Sequence, residues 1–340
     1  MTFDLCAADP STVDAFCTSG PSPTQAARIH LLGVGAVGRA YLSLGGPDVV
    51  VGCSDSQGTA LDPTGLPILA ILRDKGRGRS LVRTPECLHT WQDDIEPAAA
   101  AQIVLDATPT RLQQGPSDAI RIRTWLDRGQ CVALASKHAV AADPTLLAHP
   151  RLGANAVLGG TGARLQAELA LLQRNWERAA LAGNASTTII ITCIEEGGTF
   201  ADGLARAEAM GVLEPDPELD LKGRDAAVKL ALIAGALSGV PHSVDDVDVQ
   251  DLRSIAPGTL QATAKAGQTT RLVGRIERGG SLSLRYAALD RTDSLAVHPD
   301  AVVYRYELAD GAHTHVGYGV GAVGTAKALC VDIERLRGEA

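Results

Sequence analysis

The residues best able to do chemistry in this sequence are lysines and carboxylates set beside glycines. Residues 211–230 gather Glu214, Asp216, Glu218, Asp220 and Asp225 around Pro215, Pro217 and Gly223, then run into an apolar, alanine-rich segment. The two prolines forbid a helix through the first half, whereas residues 225–237 are helix-tolerant with one glycine, Gly235, so a helix starts near Gly223 or Arg224. Asp225 and Lys229 then share one helical face. Taken alone, this is an acidic surface loop followed by a helix with one solvated ion pair. A second group of residues gives it another meaning. Gly33-Val-Gly-Ala-Val-Gly38 follows the apolar run 27–32 and precedes a helical stretch from Arg39 to Leu44. Strand, glycine turn and helix in that order are what a dinucleotide pyrophosphate requires. Gly33 makes the turn, Gly35 lets the phosphates approach, Ala36 and Val37 open the helix, and Gly38 permits close helix packing.

The elements that must position these residues alternate. A buried strand at 48–53 ends in Ser54-Asp55-Ser56, with Asp55 about 20 residues after the turn and placed to accept from a ribose 2′-hydroxyl; the alternative is a turn residue at a strand end. A carboxylate there repels a 2′-phosphate and favours NAD slightly over NADP, although Lys75, Arg77 and Arg79 could reach across. Residues 102–110 form another parallel strand ending at Thr108-Pro109-Thr110, residues 115–128 an amphipathic helix, and 130–135 a strand ending at Ser136-Lys137-His138. Gly33, Asp55, Thr108 and Lys137 all fall at carboxyl ends of strands, where a doubly wound sheet binds its ligands. A lysine at that crevice is better placed for chemistry than a solvated one. The fold class expected is α/β, a Rossmann-type doubly wound parallel sheet with a second α+β domain.

That second domain begins where the alternation breaks. A run with Gly153, Gly159, Gly160 and Gly162 leads to a helix at 163–177, a strand and turn around 179–186, a helix through Glu196 and another from Thr199 to Met210. Strands are then expected at about 245–254, 258–266, 269–277 and 280–287, mainly antiparallel. A further glycine turn, 317–324, precedes a closing helix from Thr325 to Arg337, which is expected to pack on the first domain. The organisation read from this is an extension at 1–26, a dinucleotide-binding domain at 27–150, a substrate domain at 151–315 and the closing segment 316–340.

Bulk properties exclude several classes. With 340 residues, 45% of them apolar, the chain can bury two cores. A net charge of −8 with 31 basic residues and no basic run leaves no footprint for nucleic acid or an anionic membrane. Seven scattered cysteines without a Cys-x-x-Cys pair point to reduced thiols and a cytoplasmic protein. No apolar run approaches the ~18 residues of a membrane span, and the N-terminus, with Asp4, lacks a basic leader. His313 and His315 are two apart but have no third ligand at suitable spacing, so no metal site is expected. His30 and His298 read as structural, and Glu195-Glu196 as a solvated helix end.

Together these motifs resemble the homoserine dehydrogenase family over residues 27–338: the turn at 33–38, Ser54-Asp-Ser, Asp106-Ala-Thr-Pro-Thr110, Ala135-Ser-Lys137, Gly159-Gly160, the block from Glu214 through Asp220, Gly223, Asp225 and Lys229, His298-Pro299, and the last glycine turn before Thr325-Ala326. The resemblance implies reversible hydride transfer between a nicotinamide, NAD or NADP, and aspartate semialdehyde or homoserine. It implies that Glu214 holds the substrate ammonium, that Asp220 and Asp225 lie near the substrate with Gly160, Ala185 and Ser186, and that Lys137 and Lys229 meet the reacting oxygen. An alkoxide forming there needs a positive donor that can also pass a proton. Gly321 and Thr325 join the cofactor contacts. A homodimer paired through the second sheet is also implied, as is the absence of the regulatory domain that some members carry after this point. The chain departs from the family at Gly183-Asn-Ala-Ser-Thr187, at Val212 in place of a tyrosine, and at Asn155 in place of a glutamate associated with a monovalent cation. Those departures suggest a homologue that acts on a related amino-acid semialdehyde or amino alcohol. A non-catalytic NAD-binding module is the reading from another class.

Overall fold

A computed structural model describes residues 26–81, 88–90, 100–210, 212–213 and 221–339. Strand β1 (Arg28–Leu32) is buried from its second residue onward, the pattern of a central parallel strand covered on both faces. It pairs in parallel with β2 (Val49–Asp55) on one side and β5 (Ile103–Asp106) on the other. β6 (Cys131–Leu134) and β7 (Leu152–Gly153) extend the parallel run, while β3 (Gly58–Leu61) and β4 (Leu88–Thr90) add antiparallel strands at the opposite edge. The resulting order is β4-β3-β2-β1-β5-β6-β7. The connecting helices are α1 (Ala36–Leu44), α2 (Ile68–Gly76), α3 (Gly115–Asp127) and α4 (His138–Ala142).

The chain then builds a second sheet. Helix α5 (Gly162–Asn175) leads into β8 (Trp176–Ala182), followed by α6 (Ala185–Glu195), α7 (Phe200–Ala209), α8 (Arg224–Ser238), β9 (Val247–Val249), α9 (Pro257–Lys265), β10 (Gln268–Glu277), β11 (Leu282–Asp290), β12 (Val302–Leu308) and β13 (Gly311–Gly317). Its six strands run in the order β13-β12-β8-β10-β11-β9, antiparallel except for β9 against β11. Helix α8 lies in the interior. Eleven of its fifteen residues are buried, and it shares a core with Leu181, Leu272 and Tyr304 of the sheet and Leu146 and Leu147 near α4.

Two expectations fail here for identifiable reasons. Residues 258–266 are helix α9, not a strand. Thr-Leu-Gln-Ala-Thr-Ala-Lys alternates polar and apolar side chains, but Pro257 at the first helical position, Lys265 in the last turn and Gly267 at φ +81° are the punctuation of a helix. Only Val247–Val249 of the expected strand at 245–254 is extended, flanked by single turns of 3-10 helix at 244–246 and 252–254. The hairpin of β12 and β13 adds two strands that the sequence reading did not anticipate, although burial alternates over residues 304–308.

The last helix, α10 (Gly321–Leu336), starts four residues earlier than its sequence suggested and lies on the first sheet. Ala326, Leu329, Ile333 and Leu336 fill the same core as Ile29, Leu31 and Ile103. Asp332 goes in with them. It is fully buried, its Oδ2 accepts from the Asn155 N–H at 2.8 Å, and its Oδ1 has no partner. A side chain at Gly153 would collide with it, since a Cβ there would lie 2.6 Å from Cγ.

Burial pushes the Asp332 carboxyl up to about 7. An unfolded aspartate loses its proton near 3.8, so the folded state favours the protonated form. The resulting destabilisation is absent below about pH 4, grows as pH rises toward 7 and levels off above it, at on the order of 4 kcal/mol. Asp332→Asn keeps an acceptor for Asn155 and should raise unfolding free energy more at pH 8 than at pH 5. Denaturant titrations showing the same gain at both values would contradict this assignment.

Candidate active site

The glycine turn has the shape its sequence demands. Gly33 sits at φ +87°, and a Cβ there would stand 2.7 Å from the Ala107 carbonyl oxygen; at Gly38 it would stand 2.1 Å from the Gly33 carbonyl oxygen. Above Gly35 a Cβ would meet nothing within 4 Å. Helix α1 has no side-chain cap and no acid in its first turn, which leaves the N–H groups of Ala36, Val37 and Gly38 and the positive end of the helix for an anion. This open cradle fits a dinucleotide pyrophosphate.

The neighbouring strand ends are stitched together by Asp106, the last residue of β5. Its carboxylate is 1% exposed and accepts from Thr108 N–H at 2.9 Å and from the Ser136 hydroxyl at 2.8 Å, tying the β5 turn to the β6 turn. Lys137 N–H donates to Thr110 Oγ1 at 3.2 Å, and Arg111 N–H to His138 Nδ1 at 3.3 Å. Lys137 is thereby held beside the residues that flank Pro109.

Asp225 meets Lys137 from the other side. It lies in the first turn of α8, where the helix dipole favours a carboxylate, after Gly223 at φ +62°. Its Oδ2 is 2.7 Å from Lys229 Nζ and its Oδ1 3.5 Å from Lys137 Nζ. Burial opposes its ionisation, but the two ammonium groups outweigh burial and hold the carboxyl well below the usual carboxylate range. Lys229 Nζ also donates to the Gly183 carbonyl at 3.4 Å. Gly183 precedes Asn184, whose side chain caps α6 by accepting from Thr187 N–H at 3.0 Å and from the Ser186 hydroxyl at 2.9 Å.

These groups border a cleft of about 410 Å³. Its floor carries Lys137, Asp225 and Lys229, one wall Gly183 to Ser186, and another Val212, Leu213 and Val302. The uncapped start of α10, Val320 to Ala322, closes it together with Thr325 and Ala36. Residues 319–324 repeat the hexapeptide Gly-Val-Gly-Ala-Val-Gly of 33–38, so two helix starts of identical sequence stand beside the cleft. Gly319 N–H donates to the Gly159 carbonyl at 2.8 Å and fixes the second turn against the diglycine.

Of the sequence-predicted residues, Lys137, Asp225, Lys229, Ala185, Ser186, Ala36, Gly321 and Thr325 line this cleft. Gly159 lines it in place of Gly160. Gly33, Gly35, Val37, Gly38, Thr108 and Pro109 belong to the adjoining turns and are not among its lining residues. Glu214 and Asp220 lie outside the described residues. Asp55 is engaged within the protein: Oδ2 accepts from Lys75 Nζ and from Leu81 N–H, each at 3.0 Å, and Oδ1 from Gln57 N–H at 2.9 Å. Burial works against its charge, but these donors lower its pKa. Sequence reasoning missed Asp106 and Ser136 as organisers; the motif Asp-Ala-Thr-Pro-Thr contained the signal, since an aspartate two residues before a threonine forms a local turn.

The discounted residues also have places. His30 is buried 2.8 Å from Ser54 Oγ, with its pKa lowered to about 4 by burial. His313 and His315 both contact Glu168 Oε2, at 2.8 and 3.0 Å, and the described residues contain no cluster arranged to hold a metal. Glu195 is not solvated as expected. It accepts from Thr270 N–H at 2.6 Å and the Thr269 hydroxyl at 2.8 Å, pinning α6 to β10. Asn155 Oδ1 accepts from Ala163 N–H, and its Nδ2 donates to the Ala328 carbonyl, both at 3.3 Å.

Comparison with known proteins converges on one family. The homoserine dehydrogenase family model matches residues 168–333. A homoserine dehydrogenase of Methanocaldococcus jannaschii is 27% identical over 299 residues, covering 84% of this chain and 87% of that protein. An NAD(+)-dependent homoserine dehydrogenase of Pseudomonas canavaninivorans is 25% identical over 334 residues, covering 90% and 95%. A crystal structure of a putative homoserine dehydrogenase from Archaeoglobus fulgidus shares the fold at TM-score 0.69 and 23% identity, covering 91% of this chain and 98% of that one. A hyperthermophilic archaeal homoserine dehydrogenase in complex with NADPH superposes at TM-score 0.70 with 21% identity, covering 90% and 96%.

Gly183, whose carbonyl accepts from Lys229 Nζ, sits at φ +145°, and a Cβ at this position would lie 2.6 Å from the Val302 side chain. Gly183→Ala should therefore cost about 2 to 4 kcal/mol of stability. A melting temperature equal to that of the parent would refute the strain at this corner.

Proposed function

We propose that the chain, whose residues 168–333 match the homoserine dehydrogenase family model, reversibly interconverts aspartate semialdehyde and homoserine with a nicotinamide dinucleotide, NAD or NADP. The observation that carries this reading is the pair of lysines sharing one carboxylate on the floor of the cleft, beside an uncapped glycine turn. Bound reduced nicotinamide supplies the hydride. The protein supplies the rest: as the carbonyl oxygen becomes an alkoxide, Lys137 and Lys229 stabilise its charge, and an ammonium gives it a proton that solvent replaces. Two ammonium groups against one carboxylate leave the site a positive excess matched to that oxyanion. Asp225 keeps Lys229 aimed, with its Oδ2 2.7 Å from Nζ. Ala185 and Ser186, at the capped start of α6, face the substrate, with Glu214 and Asp220 assigned to it from sequence.

We assign residues 27–150 to the cofactor, 151–315 to the substrate and 316–340 to closing the cofactor side. Gly33, Gly35, Ala36, Val37, Gly38, Thr108, Pro109, Gly321 and Thr325 are the proposed cofactor contacts. The preference assigned to NAD rests on Asp55, whose carboxylate disfavours a 2′-phosphate, against the neighbouring Lys75. Among the described residues Cys131, Cys193 and Cys330 form no disulfide, which supports a reducing, cytoplasmic setting. Assembly as a homodimer is proposed through the second sheet, and sedimentation velocity tests it. A second reading, action on another amino-acid semialdehyde, is favoured by Val212 in the cleft wall.

Aspartate semialdehyde added with NADH or NADPH should extinguish the reduced-nicotinamide absorbance. No turnover with either cofactor would sink the proposal, and a stronger optimum on another semialdehyde would select the second reading. Lys229→Ala should lower kcat by about 10²-fold or more while the cofactor Kd stays within about threefold; unchanged kcat would remove the role given to Lys229. A higher kcat/KM for NADPH than for NADH would reverse the cofactor preference.

A further inference from the structure

His138 follows Lys137 directly, yet nothing in the proposed chemistry uses it. It is 1% exposed and stands at the junction of three elements. Nδ1 accepts from Arg111 N–H at 3.3 Å, so that nitrogen presents its lone pair to the turn after β5. In the neutral ring the proton then sits on Nε2, which lies 2.7 Å from Asp118 Oδ2 of α3. That contact is short but bent, since Nε2 makes no aligned hydrogen bond. Asp118 is held in turn by Arg121, whose Nη2 is 2.8 Å from Oδ1 and whose guanidinium lies over the Trp125 ring at 5.1 Å. The ring therefore faces a polar group at each nitrogen; the other tautomer would set an N–H against the Arg111 N–H, and a ring turned by 180° would set a C–H there.

The position matters because of what is attached to either side. Lys137 N–H is bonded to Thr110 Oγ1, one residue before Arg111. Two parallel links, Lys137 to Thr110 and His138 to Arg111, thus join the turn that carries the lysine to the turn that carries Thr108 and Pro109. Lys137 Nζ is only 3.5 Å from Asp225, and its side chain is 20% exposed, so its placement depends on where its backbone is anchored. Gly115 packs below the same junction, where a Cβ would stand 2.5 Å from the His138 carbonyl oxygen.

We infer that His138 is a positioning residue that locks the lysine turn to the 108–111 turn through a fixed Nδ1 acceptor, with Asp118 setting the ring's orientation. The inference rests on the reading of Lys137 as a donor to the reacting oxygen. It distinguishes two substitutions that damage packing similarly. Asn at 138 places an amide oxygen close to Nδ1 and keeps an acceptor for Arg111, but cannot reach Asp118. Gln places its amide near Nε2 and leaves Arg111 N–H without an acceptor.

The test measures His138→Asn and His138→Gln beside the parent chain, with aspartate semialdehyde and both reduced nicotinamides. His138→Gln should lower kcat about tenfold, the scale of one lost hydrogen bond, with KM for the semialdehyde changed less than about twofold. His138→Asn should restore most of kcat although both variants lose similar melting temperature. Amide hydrogen exchange over 108–111, read on the full chain without substrate, should be about tenfold faster in the Gln variant and near parental in the Asn variant. Equal kcat in the parent and Gln variant, or losses of kcat that follow melting temperature alike in both, would overturn the inference, as would equal exchange in all three proteins. A parent chain without turnover would defeat the functional reading alone, and the exchange measurement would still decide the role of His138.

Discussion

One carboxylate between two lysines joins the two sheets of this protein. Lys137 extends from the end of β6 in the first sheet, whereas Asp225 and Lys229 come from α8, which packs against the second. Neither lysine would sit comfortably near the other without the charge between them, because two ammonium groups at this range in a partly enclosed cleft repel strongly. Burial alone would weaken the carboxylate's ionisation, and the lysines reverse that. The relative placement of cofactor turn and substrate wall is therefore tied to the same charges that would meet the reacting oxygen.

Around that centre, placement is achieved by backbone and by short polar side chains. Asp106 spans two turns, Asn184 caps α6, and the Gly159 carbonyl receives Gly319 N–H. Each satisfies groups that a strand end or helix start leaves open. The glycines are where chain passes close to chain: at Gly159, Gly183 and Gly319 an added Cβ would meet Val302 or the Gly159 backbone. A chain with 36 glycines and 3% aromatic residues thereby forms its cleft from main chain more than from large rings.

The parallel sheet was legible because its strands are short apolar runs punctuated by glycine and polar ends, and the turn at 33–38 has a stereochemical meaning at every glycine. Helix α8 was legible from Pro217, Gly223 and the alanine-rich run. Helix α9 was not: its side chains alternate like those of a strand, and only Pro257 and Gly267 marked its ends. The hairpin β12–β13 was missed although Asp310-Gly311 at its turn is a local hairpin signal; only its place beside β8 is non-local. At the site, the spacing of Asp225 and Lys229 announced their pairing, but the distance from Lys137 to Asp225 depends on how α8 packs. Lys75 on Asp55 arises from a helix end returning to a neighbouring strand, which sequence spacing alone did not place.

The duplicated hexapeptide has a consequence for how the protein is made. One copy opens α1 and the other α10, helices that pack on each other although more than 270 residues separate their starts. Ala36 and Thr325 face one cleft, and Leu329, Ile333 and Leu336 fill the core beneath β1. A ribosome-bound chain that has emerged only through β13 lacks the α10 side of that core and that wall. Completion of the cleft must therefore wait for α10, and ligand capture would mark that helix's arrival.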